Sequence, residues 1–150
     1  MAVDRDAETM FSPSAKLAAR LVLAAVEHGA SIGVFVAASV CDTTGRPVAA
    51  LMHPKAPTEC AAIARDKAAV SAGFRTSTDN LFEEIAGNEA LKIGLATRRG
   101  FALFGGGSPI TLAGDIIGGL GVSGGSEEQD TECLQFALKT TEFIGKSPVL

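Results

Sequence analysis

The 150-residue chain contains no Trp and no Tyr, and its large aromatic side chains are eight Phe. Bases need stacking platforms and phosphates need clustered Lys and Arg, so a chain short of rings with a net charge of −4 is not a nucleic-acid binder. Arg98-Arg99 is the single adjacent basic pair and reads as a solvated turn. Cysteine is scarce: Cys41, Cys60 and Cys133 are widely spaced and form no CxxC or Cys/His zinc pattern. That leaves neither a disulfide framework nor a metal site. The opening MAVDRDAETM has no apolar run of the kind a signal peptide needs, and no later stretch is long and apolar enough to span a bilayer. Free thiols without an export signal point to the cytoplasm and to no membrane partner.

What is abundant is small and apolar. Hydrophobic residues make up 47% of the chain and charged residues 20%, and there are 17 Gly. That length suits one domain, which can bury enough surface to fold without a staple. Small side chains let elements pack closely, and they accompany subunit interfaces, so a homo-oligomer is expected.

Residues 1–11 read as a flexible leader before a domain over 12–150. Ser12 followed by Pro13 predicts a helix start. Leu17, Leu21, Ala24 and Ala25 then share a face, and Gly29 ends the run. From Ile32 to Cys41 apolar residues occupy both faces of a period-two pattern, a strand covered on both sides. Asp42 to Gly45 supplies a turn into a second strand over Pro47–His53, hence a hairpin. Thr58 is a candidate cap for a helix reaching about Gly73, with Cys60, Ala64, Lys67 and Ser71 along one stripe. A short helix is expected over Asp79–Ala86 and loop over the rest of the stretch to Gly100. Strands are predicted at Phe101–Phe104, Ile110–Leu112 and Asp115–Val122. Ser126 and Gln129 form a capping-box pattern for a last helix with Cys133, Phe136, Ala137, Thr140 and Ile144 inside and Gly145 as its stop. The fold class is α+β, an antiparallel sheet flanked by helices in the order α-β-β-α-β-β-α.

The run from Gly118 to Asp130, GGLGVSGGSEEQD, is similar to the signature of the GlcG/HbpS family, which also supplies the C-terminal domain of PduO-type cobalamin adenosyltransferases. Asp66-Lys67-Ala68 with Ser71-Ala72 resembles its lysine-containing central helix. Phe104-Gly105-Gly106-Gly107 before Pro109 resembles its glycine turn, and Asp42 with Gly45 its first hairpin. The match spans roughly residues 14–145. It implies a single GlcG/HbpS-like domain, symmetric oligomers, a pocket near the glycine turns and, in several members, heme as the ligand. Cys60 stands where a serine or another small residue is expected in the family.

Each candidate residue has two readings. Gly105, Gly106 and Gly107, and Ser123, Gly124 and Gly125, can present amides to a carboxylate or phosphate, the second turn at a helix N-terminus. They also serve close packing, and Glu127, Glu128 and Asp130 already bring negative charge there. Lys67 is an anion clamp or, desolvated, a base; alternatively it snorkels to water or pairs with a carboxylate. Cys60 lies about 10 Å along the helix from Lys67. It is a nucleophile if its thiol is activated in the first turn, and otherwise an inert buried thiol. Cys41 and Cys133 read as core. His53 is the better of two histidines as an iron ligand or acid-base group; His28 ends a helix. Phe74, Phe82, Phe101 and Phe104 wall a pocket or fill the core.

Two functions survive. One is an oligomeric binding protein holding heme or a related carboxylate-bearing small molecule, with Lys67, the glycine turns and His53 as its contacts. The other is a cofactor-free isomerase or hydrolase of a small organic acid, with Cys60 and Lys67 catalytic and the glycine amides as an oxyanion site.

Overall fold

A computed structural model describes residues 6–144. In chain order the elements are α1 (Ala15–Ser31), β1 (Ala37–Asp42), β2 (Pro47–Met52), α2 (Glu59–Phe74), α3 (Thr78–Ile85), α4 (Glu89–Ala96), β3 (Gly107–Leu112), β4 (Asp115–Ser123) and α5 (Glu127–Ile144). The strands form one antiparallel sheet in the order β2-β1-β4-β3. The chain is therefore α+β.

Apolar packing holds α1 and α5 against one face of the sheet. Leu21, Val22 and Ala25 of α1 and Cys133, Leu134 and Ala137 of α5 meet Val36, Val40, Leu120 and Val122 in the main core. The opposite face is built differently. There β1 offers Ala37 and Cys41 to Cys60, Ala64, Ala68 and Ala72 of α2, and β4 offers Gly119 and Gly121. A Cβ on Gly121 would lie 2.0 Å from the Ala64 carbonyl oxygen, and one on Gly119 2.2 Å from that of Ala68. The helix backbone thus rests directly on the strand, a separation that only glycine permits.

Both faces of β1 are buried along its whole length, as the sequence pattern implies, although Ile32 is exposed and precedes the strand. The Asp42–Gly45 turn joins β1 to β2. Asp42 Oδ1 accepts from the Thr44 amide (2.8 Å), the Thr44 hydroxyl (2.6 Å) and the Arg46 amide (3.1 Å). These bonds, the Thr44 hydroxyl's foremost, hold the Asp42 carboxyl below the usual range. Ser126 and Gln129 close the expected capping box: the Gln129 amide donates to Ser126 Oγ at 3.2 Å and the Ser126 amide to Gln129 Oε1 at 3.0 Å.

Other expectations are corrected. The first helix is capped by Ser14, whose hydroxyl accepts from the Leu17 amide (3.1 Å), and not by Ser12. Pro13 is buried against Gly118 instead, and Gly29 lies inside the helix, which runs on to Ser31. Thr58 sits at the start of α2 but makes no side-chain capping bond. Phe101–Phe104 is not a strand. Phe101 and Leu103 pack against Val70, Leu81 and Ile85, so burial rather than sheet pairing explains their apolar pattern. The loop expected after the short helix contains α4, capped by Asn88. Phe136 is exposed, stacked on His28 at 4.2 Å rather than inside the core. The side chain of Ile144 and the stop at Gly145 lie outside the described residues.

Candidate functional site

Strand register gathers the candidate residues at one end of the sheet. Ala37, which opens β1, faces Met52 at the end of β2 and Ser123 at the end of β4, and Gly107, which opens β3, faces Gly121. His53, Cys60, Gly105–Gly107 and Ser123–Gly125 therefore share that end with the N-termini of α2 and α5.

Lys67 begins two turns further along α2, but helical side chains lean toward the N-terminus, which carries its amine back beneath the glycine turn. It is wholly buried. Nζ donates to the Val122 carbonyl at 2.8 Å and to Asp130 Oδ2 at 3.0 Å, and lies 4.7 Å from the centre of the Phe104 ring. An ammonium has three protons, and this cage offers an acceptor or a π face for each. Gly106 completes it: its φ is +117°, and a Cβ there would lie 2.8 Å from Lys67 Nζ and 2.6 Å from the Val122 oxygen. Asp130 Oδ1 in turn accepts from the Gly125 amide at 2.8 Å. Burial is the main influence on both charges, pushing the Lys67 pKa down and the Asp130 pKa up, against their mutual attraction. Lys67 thus does not snorkel to water; it ties α2 to β4 and α5.

The glycine turns are wired internally. The Gly105 amide donates to Glu127 Oε1, and the Gly107 amide to Thr78 Oγ1 at 3.1 Å. The Thr78 hydroxyl donates to the Phe104 carbonyl at 2.7 Å. With Asp130 on the Gly125 amide, three of the amides expected to face a ligand already have acceptors. Cys60 is buried against Ala37 and Ala64. Cys41 and Cys133 are core residues, and burial pushes each thiol up to about 11.

Two openings of opposite charge flank this clamp. The first, a cavity of about 300 Å³, is lined by Phe35, Lys55, Pro57, Gly124, Gly125 and Gln129. His53 stands beside it, half-buried and stacked on Phe35 at 4.5 Å, with Lys55 Nζ 5.2 Å from the same ring. His53 Nδ1 accepts from the Lys55 amide at 3.0 Å, so in the neutral ring Nε2 carries the proton. The second is a groove between α3, α4, the glycine turn and α5. Its two compartments, about 470 Å³ each, share Asp79 and Glu127. Phe82 and Phe104 wall it, whereas Phe74 and Phe101 pair edge to face with each other at 5.4 Å. His28 lies on the α1–α5 side, with Nε2 3.0 Å from Glu132 Oε1. Among the described residues no three His, Cys, Asp or Glu side chains gather as a metal site, and no helix is long and apolar enough to cross a membrane.

The sequence did not identify Asp130 as the partner of Lys67, nor Thr78 and Glu127 as the residues that pin the glycine turn. Asp130 lay within the recognised motif, but only as first-turn negative charge. Nothing in the local sequence marks Thr78.

The family model described as "Haem degrading protein HbpS-like" matches residues 14–139. The corrinoid adenosyltransferase PduO of Salmonella typhimurium is 34% identical over 121 residues, which are 79% of this chain and 36% of that protein. The chain thus spans about a third of the length of that relative. Among solved structures, the Klebsiella pneumoniae protein ORFY superposes with a TM-score of 0.84 at 24% identity, covering 94% of this chain and 98% of that one. A PduOC:heme complex superposes with a TM-score of 0.78 at 30% identity, covering 85% and 94%.

Proposed function

The chain belongs to the HbpS-like family, and on that premise we propose that it binds heme or a related carboxylate-bearing small molecule at the His53–Lys55 opening, as a subunit of a cytoplasmic homo-oligomer. The observation that carries this reading is the likeness to a PduO domain solved with heme, at 30% identity over most of the chain. The chemistry of the opening supports it. His53 supplies an imidazole, Phe35 an apolar ring for a flat ligand, and Lys55 a cation for a carboxylate. Lys67 and Gly105–Gly107 contribute as framework, Gly124 and Gly125 line the opening, and Ser123 lies buried at the end of β4 before them. When bound, heme would bring redox-active iron. His53 must then exchange its present tautomer, because ligation through Nε2 moves the ring proton to Nδ1 and displaces the Lys55 amide.

The enzyme reading gains no support from the geometry. Lys67 is enclosed by Val122, Asp130 and Phe104 and has no free amine for an anion, and Cys60 packs among small apolar residues.

Heme titration followed by absorbance tests the proposal. A saturable Soret shift is expected, lost in His53→Ala and weakened in Lys55→Glu. No saturable shift in the wild type refutes it. A shift lost in His28→Ala but kept in His53→Ala would move the ligand to the α1–α5 side.

A further inference from the structure

The groove on the other side of the clamp has the opposite chemistry. Phe82, Leu103 and Phe104 give one compartment an apolar wall, Phe82 being 37% and Phe104 44% exposed overall. Around that wall stand Asp79, Glu83 and Glu127, with Lys92 the one cation among the described residues of the lining. Among the described residues the adjoining compartment adds Glu128 and Glu132, of which Glu132 is held by His28. Asp79, Glu83, Glu127 and Glu128 against Lys92 leave a negative field beside an aromatic surface. Glu127 is fixed by the Gly105 amide, so its charge is held at the junction of the two compartments.

We propose that this groove is a binding site for an organic cation: an amine or guanidine attached to a flat apolar body. The body lies against Phe82, Leu103 and Phe104, and the cation lies between Asp79 and Glu127. Lys67 Nζ sits against the inner face of Phe104, which leaves Phe82 as the ring better placed to attract a cation. Anionic ligands are excluded from the groove by the same carboxylates, so it is distinct from the opening beside His53 and Lys55. One end of the sheet thus carries two sites that sort small molecules by charge.

The absence of Trp and Tyr makes the test direct, because indole emission from a probe has no protein background. Tryptamine and indole-3-propionate share a ring system and differ in charge. Titrated into the full chain at low ionic strength, tryptamine is expected to show a saturable emission shift, and indole-3-propionate at least about tenfold weaker binding to the groove. Glu127→Gln keeps an acceptor for the Gly105 amide and removes the charge. It and Asp79→Asn should each weaken tryptamine about three- to tenfold, Phe82→Ala should weaken it further, and added salt should do the same. Lys55→Ala should leave tryptamine binding unchanged, which separates this site from the heme reading. Three outcomes overturn the proposal: no saturable tryptamine binding, equal or tighter binding of the propionate at the groove, or tryptamine affinity indifferent to both Glu127→Gln and Asp79→Asn.

Discussion

Replacing Lys67 by methionine removes an ammonium with no exposed surface and keeps most of the side-chain volume. What remains is the Asp130 carboxylate, 5% exposed, with the Gly125 amide still donating to Oδ1 and no cation opposite Oδ2. Leaving one partner of a buried pair uncompensated costs about 3–5 kcal/mol. With a urea m-value of about 2 kcal/mol/M for a domain of this size, the unfolding midpoint should fall by roughly 2 M. Asp130→Asn alone should also destabilise, since it strips the ammonium of its counter-charge, although the Gly125 amide can keep its acceptor. The double variant Lys67→Met/Asp130→Asn buries no charge, so its loss should be smaller than the sum of the singles by roughly 2 kcal/mol. Equilibrium urea unfolding of the four proteins, followed by far-UV circular dichroism, gives the cycle. A midpoint for Lys67→Met within about 0.5 M of wild type, or singles that simply add, would refute the clamp as a coupled unit.

Gly121→Ala should cost at least about 3 kcal/mol and lower the Tm by roughly 10 °C, because the new methyl would meet the backbone of α2. Gly94→Ala, in open space on α4, should leave the Tm unchanged or raised; equal effects in the two variants would contradict the close approach. The Cys41 and Cys133 thiols, raised from an ordinary 9.0 to about 11, hold their protons more tightly when folded than when unfolded. Their contribution to stability is therefore complete below pH 9 and is lost as pH rises through 11, by roughly 2–3 kcal/mol each at most. Denaturation midpoints measured from pH 8 to 11 in wild type and Cys133→Ala check this. A wild-type midpoint that does not fall over that range would be the wrong result, and iodoacetamide labelling of both thiols in the native protein at pH 8 would be equally so.

Local chemistry was legible wherever one short segment decides the outcome. The Asp42 turn and the Ser126–Gln129 box each satisfy their own backbone within five residues, so the sequence displays them whole. The α2 stripe was legible because one face of one helix defines it. The Phe101–Phe104 segment misled because alternating burial looks the same whether the neighbour is a strand or, as here, α2 and α3. α4 buries none of its residues fully: Leu91 and Ile93 are exposed and Leu95 is half-buried, so its short apolar pattern is weak, with Asn88 and Glu89 as its start signals. The site's central pair was beyond local reading. Lys67 and Asp130 are 63 residues apart in the chain, and only the laying of α2 onto β4 brings them together.

That contact decides where this protein can tolerate change. Gly119, Gly121, Ala64 and Ala68 set the height of α2 above the sheet, and this height fixes how far the Lys67 amine reaches toward Val122 and Asp130. A larger residue at any of the four positions lifts the helix and withdraws the amine from its cage, though none of them touches it. Some wall residues of the two openings carry no such constraint. Phe82 on α3 and Lys55 in the loop after β2 are exposed and Lys92 on α4 is half-buried, and all three can be exchanged without moving α2. Ligand preference can therefore diverge at the rim while the clamp and its bed of small residues stay fixed.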